Sequence, residues 1–166
     1  MVSPQFLICT NAPNAELALT NSVHVNPEDA RTPYVNISNF VYRAVPHPDV
    51  EKGHVALNAI QRRMAKTFPG NRVEVWEFLV PISRDFSIGA VTIEAQFVKG
   101  SSKRIADLTS LANAVRSALM GDVLTFGQSI VIKYLDDNLL LWVKSNVRGL
   151  VTTQTEIGID WRDDNV

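Results

Sequence analysis

V-A-L-N-A-I-Q-R-R-M-A-K-T-F-P-G-N-R-V-E-V-W-E-F-L, running from Val55 to Leu79, passes from a short apolar run through a cationic helical turn into a Pro-Gly turn and an alternating strand. Asn58 stands where a side-chain acceptor can take the first free amides of a helix, and Phe68-Pro69-Gly70 is a stop signal. About nine residues of helix fit between them, too few to be stable without docking. Ile60 and Met64 share one face and are the expected docking contacts, each apolar side chain being worth roughly 1.5–3 kcal/mol when fully buried. Arg62, Arg63 and Lys66 lie off that face with no acid close by in sequence, so the helix is expected to leave cations on a surface. Beyond the turn, Val73, Val75 and Leu79 alternate with Trp76 and Phe78, which predicts a central strand over 72–80, apolar on most of both faces.

The flanking sequence is consistent with a small closed barrel. Short strands are predicted at 6–9, 16–21, 23–25, 34–37, 40–45 and 54–57. Asn26-Pro27-Glu28-Asp29 has the form of a capped single turn, and Ser38-Asn39 suits a tight hairpin between two of the strands. The character changes at Val80-Pro81-Ile82-Ser83, placing a boundary that divides the chain into 1–81 and 82–166.

In the second part, Ile88 to Val98 reads as a long strand with Val91, Ile93, Ala95 and Phe97 on one face. It runs into a basic loop holding Lys99, Lys103 and Arg104. Asp107 is the expected cap of a helix whose stripe is Leu108, Leu111, Ala112, Val115 and Leu119. Strands over 129–135 and 139–147 are joined by Asp136-Asp137-Asn138, a last strand covers 151–159, and a polar tail begins at Trp161. The order is that of an α+β unit, mainly β, and not of alternating βαβ repeats.

Composition limits the chemistry. The 166 residues, 46% of them hydrophobic, are enough for a real core, and 16 basic against 17 acidic side chains leave a net charge of −1. Electrostatic binding must therefore come from local patches, and nucleic acid is not an expected partner. Cys9 is the only cysteine, which fits a reducing compartment and reads as a small buried hydrophobe. Phe6-Leu7-Ile8 is too short for a signal peptide, and the longest apolar run, Leu139 to Val143, is too short to insert in a membrane as a helix. A soluble cytoplasmic protein is expected.

Neither a Gly-Lys pair nor Gly-x-Gly-x-x-Gly occurs, so both familiar nucleotide-binding loops are missing from these residues. His24, His47 and His54 lack the spacing of metal ligands, Asp136-Asp137 belongs to a turn, and no Gly-x-Ser-x-Gly elbow is present. The sequence offers no positive case for catalysis, a cofactor or a metal. The two cationic clusters, Arg62-Arg63-Lys66 and Lys99-Lys103-Arg104, remain as candidate partner-binding residues. Such clusters are more often solvated faces, but convergent cations can also orient an acidic partner.

Several pieces together resemble a known family. Glu16-Leu17-Ala18-Leu19-Thr20-Asn21, Val55-Ala56-Leu57, Gln61-Arg62-Arg63-Met64-Ala65, Val73-Glu74-Val75 and Ile88-Gly89-Ala90-Val91-Thr92-Ile93-Glu94 are similar to the N-terminal domain of vesicle-fusing ATPases of the NSF type, within the AAA+ family. The resemblance runs from about Cys9 to Val147. It implies a double-psi β-barrel subdomain followed by a small α/β-roll subdomain, in a domain fragment of a homohexameric ATPase. ATP and magnesium would serve ATPase modules outside this chain. It further implies that the domain grips the adaptor SNAP on SNARE complexes, so that the ATPase modules can disassemble them in vesicle fusion, with peripheral recruitment to membranes through adaptors. Arg62 and Arg63 match the family's basic pair. Gly100 and Ser101 stand where a second, consecutive lysine pair is expected, with Lys99, Lys103 and Arg104 as substitutes from the same loop, and Asn11 stands near another basic position. Two other readings compete: the N-domain of a segregase-type ATPase binding ubiquitin-pathway cofactors through apolar grooves, and a stand-alone β-barrel enzyme.

Overall fold

The first part of the chain rolls its strands into a closed barrel of six. In the computed structural model, which describes residues 3–98 and 107–162, the chain divides into two compact units, Met1–Pro81 and Ile82–Val166. The strands of the first unit are β1 (Gln5–Asn11), β2 (Val23–Val25), β3 (Tyr34–Ile37), β4 (Phe40–Pro46), β5 (His54–Leu57) and β6 (Arg72–Glu77). Around the barrel they follow the order β1-β5-β2-β4-β3-β6. The β1–β5 and β2–β4 pairs are parallel and the rest antiparallel, in keeping with a double-psi barrel.

Alternation explains the interior. Leu7 and Cys9 of β1, Val23 and Val25 of β2, Val35 and Ile37 of β3, and Val73 and Val75 of β6 all point into one apolar core. The Ser38-Asn39 turn has φ of 51° and 74°, the paired left-handed geometry of the tightest hairpins, and Asn tolerates it best.

Three local expectations change. Residues 16–21 form no strand; Leu17–Leu19 is a single 3-10 turn, held by Asn14 Oδ1, which accepts from the Leu17 amide at 2.8 Å. The alternating leucines imitate a strand, but the Asn14 side chain starts a turn first. β6 stops at Glu77, and it is buried on one face only: Val73 and Val75 are inside, while Glu74 and Trp76 are exposed. A barrel closed on itself has one interior, so its outer face need not be covered.

The entry to β6 also carries a device that the Pro-Gly signal did not specify. The Gly70 amide donates to Cys9 O and the Cys9 amide donates to Asn71 O, both at 2.8 Å, so two residues oppose one. Gly70 has φ of 94°, which makes this a glycine-type bulge.

The second unit is a four-stranded sheet, in the order Glu156–Trp161, Ala90–Phe97, Asp137–Val143, Ser129–Tyr134, backed by a helix, plus a small two-stranded ribbon. Its elements are β7 (Ala90–Phe97), α2 (Leu108–Leu119), β8 (Val123–Thr125), β9 (Ser129–Tyr134), β10 (Asp137–Val143), β11 (Arg148–Leu150) and β12 (Glu156–Trp161), so that the helix of the first unit, Ala59–Ala65, is α1. Val91, Ile93, Ala95 and Phe97 meet Leu111, Val115 and Leu119 in one core. Asp107 accepts from the Thr109 amide at 2.9 Å, capping α2.

The ribbon β8–β11 was not expected, because three-residue strands that pair only with each other leave no periodic signal. The hairpin between β9 and β10 turns at Leu135-Asp136, one residue earlier than expected, with Leu135 at φ 54° and Asp137 already paired to Tyr134. The last strand covers 156–161, not 151–159, and it runs parallel to β7. Trp161 and Arg162 are not a free tail. Trp161 packs edge-on against Phe97 with ring centres 5.1 Å apart, and Arg162 forms an ion pair with the buried Glu94.

Candidate functional site: a cationic helix and groove on the barrel

α1 is held by buried polar contacts, with Ala65 packed against the barrel core. Asn58 Oδ1 accepts from the Gln61 amide at 2.8 Å, and Gln61 Oε1 accepts from the Asn58 amide at 2.9 Å, a complete capping box. The two side chains continue outward to the preceding loop. Asn58 Nδ2 donates to Thr20 O and Gln61 Nε2 donates to Ser22 O, each at 3.1 Å. Gln61 is the buried residue of the helix, with 2% of its surface exposed, whereas Ile60 and Met64 are only half-buried. The expected apolar docking is thus joined by a hydrogen-bonded bolt. Sequence patterns count hydrophobic spacing and give no weight to a buried glutamine.

The bolt also fixes the path of the neighbouring loop. Residues 17–22, part of the stretch on which the resemblance rests, turn so that their carbonyls receive the Asn58 and Gln61 amides.

The three cations of this helix are not equivalent. Arg62 is half-buried and its Nη1 donates to Leu57 O at the end of β5. Its charge also reaches Cys9, where burial pushes the thiol's pKa up and Arg62 works against that rise. The expectation that Arg62 points freely outward is corrected: it is a partly structural side chain. Arg63 and Lys66 are exposed, and among the described residues no carboxylate is recorded within salt-bridge distance of either. Arg62 and Arg63 sit in the last helical turn, where the unsatisfied carbonyls favour positive charge by about 0.3–1 kcal/mol each. Lys66 is the cap itself, at φ 53° and ψ 44°, a left-handed position usually given to glycine.

Beyond this cap lies an open groove of about 840 Å³. Lys66 and Thr67 form one wall, Ser38 and Asn39 at the β3–β4 hairpin another, and the outer face of β6 with Arg72 and Trp76 the floor. Trp76 is 40% exposed and Phe68, in the turn after the helix, 71%. Arg72 also lies over the Phe6 ring, its guanidinium carbon 4.0 Å from the ring centre. The groove therefore places Arg72 and Lys66 together with Glu74 and Glu77, and adjoins aromatic side chains; neither Arg72 nor the aromatics were singled out from sequence as site residues. The signal was available in the polar-apolar alternation of 72–77 once the strand is given a single buried face.

Lys99, Lys103 and Arg104 lie outside the described residues. His24 and His47 meet edge-on at 6.0 Å, and among the described residues no group of three or more His, Cys, Asp or Glu converges as a metal site would require. No helix among the described residues is long and apolar enough to cross a membrane.

These features define a class: a two-unit module of double-psi barrel and small α/β unit, presenting exposed cations at the end of a short capped helix and exposed aromatics from the turn and strand that follow it. Comparison with known proteins adds a particular likeness. The chain is 32% identical over 151 residues to a vesicle-fusing ATPase from Arabidopsis thaliana, a match that takes in 84% of this chain. No protein-family model matches. The chain spans 20% of the length of that ATPase, so the likeness is to a domain-sized portion of it.

Proposed function

We propose that this chain is the adaptor-binding N-domain of an NSF-like AAA+ ATPase, docking the adaptor SNAP on SNARE complexes through cations of α1. The observation that carries the reading is the exposure of Arg63 and Lys66 without recorded acidic partners, on a helix bolted at Asn58 and Gln61. Long cationic side chains on a fixed backbone lose less freedom on binding, and an acidic partner surface can be steered by them at moderate salt. Lys99, Lys103 and Arg104 are proposed as further contacts. In this reading the chain itself performs no catalysis. ATP and magnesium act in modules beyond it, the whole ATPase is a homohexamer, and it works in the cytoplasm, reaching membranes through the adaptor.

The test is a titration of the chain against SNAP loaded on SNARE complex. Because Arg62 also holds Leu57 O, the informative variant is Arg63→Glu with Lys66→Glu, which leaves that bond in place; both residues sit at the end of α1, so the variant's melting is measured alongside to separate lost stability from lost binding. Affinity should fall at least tenfold and the wild-type affinity should weaken as salt rises. Unchanged binding by the double variant removes α1 from the proposed interface.

A further inference from the structure

We propose that the groove beside α1 is a strand-addition site, which accepts an extended peptide segment along the open side of β6 with an acidic side chain at the Lys66–Arg72 end. The proposal is independent of which protein supplies the segment.

The argument begins with where the β6 main chain points. On one side β6 pairs with β1 over Arg72–Val75, and on the other with β3 only at Trp76 and Glu77. The bulge fixes the phase of the first pairing: Asn71 O accepts from the Cys9 amide while the Asn71 amide donates to Phe68 O, so from Val73 onward it is Val73 and Val75 that direct both amide and carbonyl toward β1. Arg72, Glu74 and Trp76 therefore face the other way. The Phe78 amide donates to Tyr34 O on that side at 3.0 Å, which agrees with the phase. Trp76 lies opposite Asn36 of β3, but β3 turns away at Ser38-Asn39, and Arg72 and Glu74 have no strand beside them.

The space there is the groove. Its lining includes Val73, whose side chain belongs to the barrel core, so at this point the strand shows the groove its main chain. Among the described residues no hydrogen bond is recorded for the Arg72 or Glu74 amide on this side. Two amides and two carbonyls in one row, at the two-residue repeat of a strand, are the pattern an added strand recognises.

Charge selects the occupant. Lys66 and Arg72 stand at the end next to α1, and Glu77 lines the groove near β3, with Glu74 between. An incoming segment is favoured when its acidic residue lies beside Arg72 and Lys66 and no acid lies beside Glu74 or Glu77. The exposed ring of Trp76 offers an apolar contact to the residue in between.

The test uses the 166-residue chain and a phage-displayed library of random linear peptides as the probe. Selected peptides should carry an acidic residue, and on titration into 15N-labelled chain they should shift the Arg72 and Glu74 amides most. A version of the best peptide N-methylated at alternate residues should bind at least tenfold more weakly. Thr67→Trp, which fills the groove, should weaken binding similarly. If that variant does not fold, the amide shifts in the wild-type chain still decide. Failure to enrich any peptide, shifts that map away from 72–74, or unchanged binding of the N-methylated peptide would each overturn the proposal.

Discussion

Replacing Gln61 by alanine isolates the feature on which the candidate site depends. The substitution deletes the acceptor of the buried Asn58 amide and the donor to Ser22 O, while the helix gains slightly in intrinsic propensity. An unsatisfied buried amide costs about 1–3 kcal/mol, and the lost bond to Ser22 about 0.5–1.5 kcal/mol, giving a destabilisation of roughly 2–4 kcal/mol. At about 2–4 °C per kcal/mol for a chain of this size, the midpoint should fall by roughly 5–15 °C. Calorimetry measures the shift, and amide spectra identify the barrel as the part that loosens. Ile60→Ala is the matched control. Ile60 is only half-buried, so its truncation should cost under about 1.5 kcal/mol, less than a core isoleucine. If Ile60→Ala proves the more damaging of the two, α1 is docked by its apolar face after all and the hydrogen-bonded bolt is refuted.

Two further outcomes are expected. Burial first, and then the charge of His47, hold the His24 imidazole below its ordinary pKa, so the folded state favours neutral His24. That contribution is complete above about pH 6.5, the unfolded value, and is lost as the pH falls toward the depressed folded value; urea midpoints between pH 7.5 and 5 should decline, and a flat profile would contradict the burial. Lys66→Gly relieves a left-handed backbone position and should stabilise the barrel by about 0.5–1 kcal/mol while weakening the proposed adaptor binding, a separation that melting and titration on one sample would reveal.

Local chemistry was legible wherever one residue type answers one backbone need. Asn58 as a cap, Asp107 as a cap and Ser38-Asn39 as a turn all followed from hydrogen-bonding capacity or tolerance of positive φ. Features that depend on distant partners were not legible. Gly70 announces a turn, but the bulge needs Cys9 opposite it, and Gln61 gains its role only because Ser22 arrives beside it. Leu17 and Leu19 alternate like a strand because a 3-10 turn and a short strand both space half-buried leucines closely. At the candidate site, periodicity found Arg62, Arg63 and Lys66 as a cluster but could not separate the one that holds the β5 carbonyl from the two that face solvent. Arg72 and Trp76 were hidden by assigning β6 two covered faces.

The bolt at Asn58 and Gln61 separates ancestry from occupation. The dependence runs one way: the loop offers main-chain carbonyls that any residue would supply, so it is loss of Asn58 or Gln61 that leaves polar groups unmatched, whereas among the described residues the Arg63 and Lys66 side chains meet no carboxylate. A lineage could exchange those cations freely and still be recognised by its lock. Kinship read from such a sequence therefore speaks first for the mount, and the identity of whatever is gripped must be sought in the side chains that the mount leaves free to change.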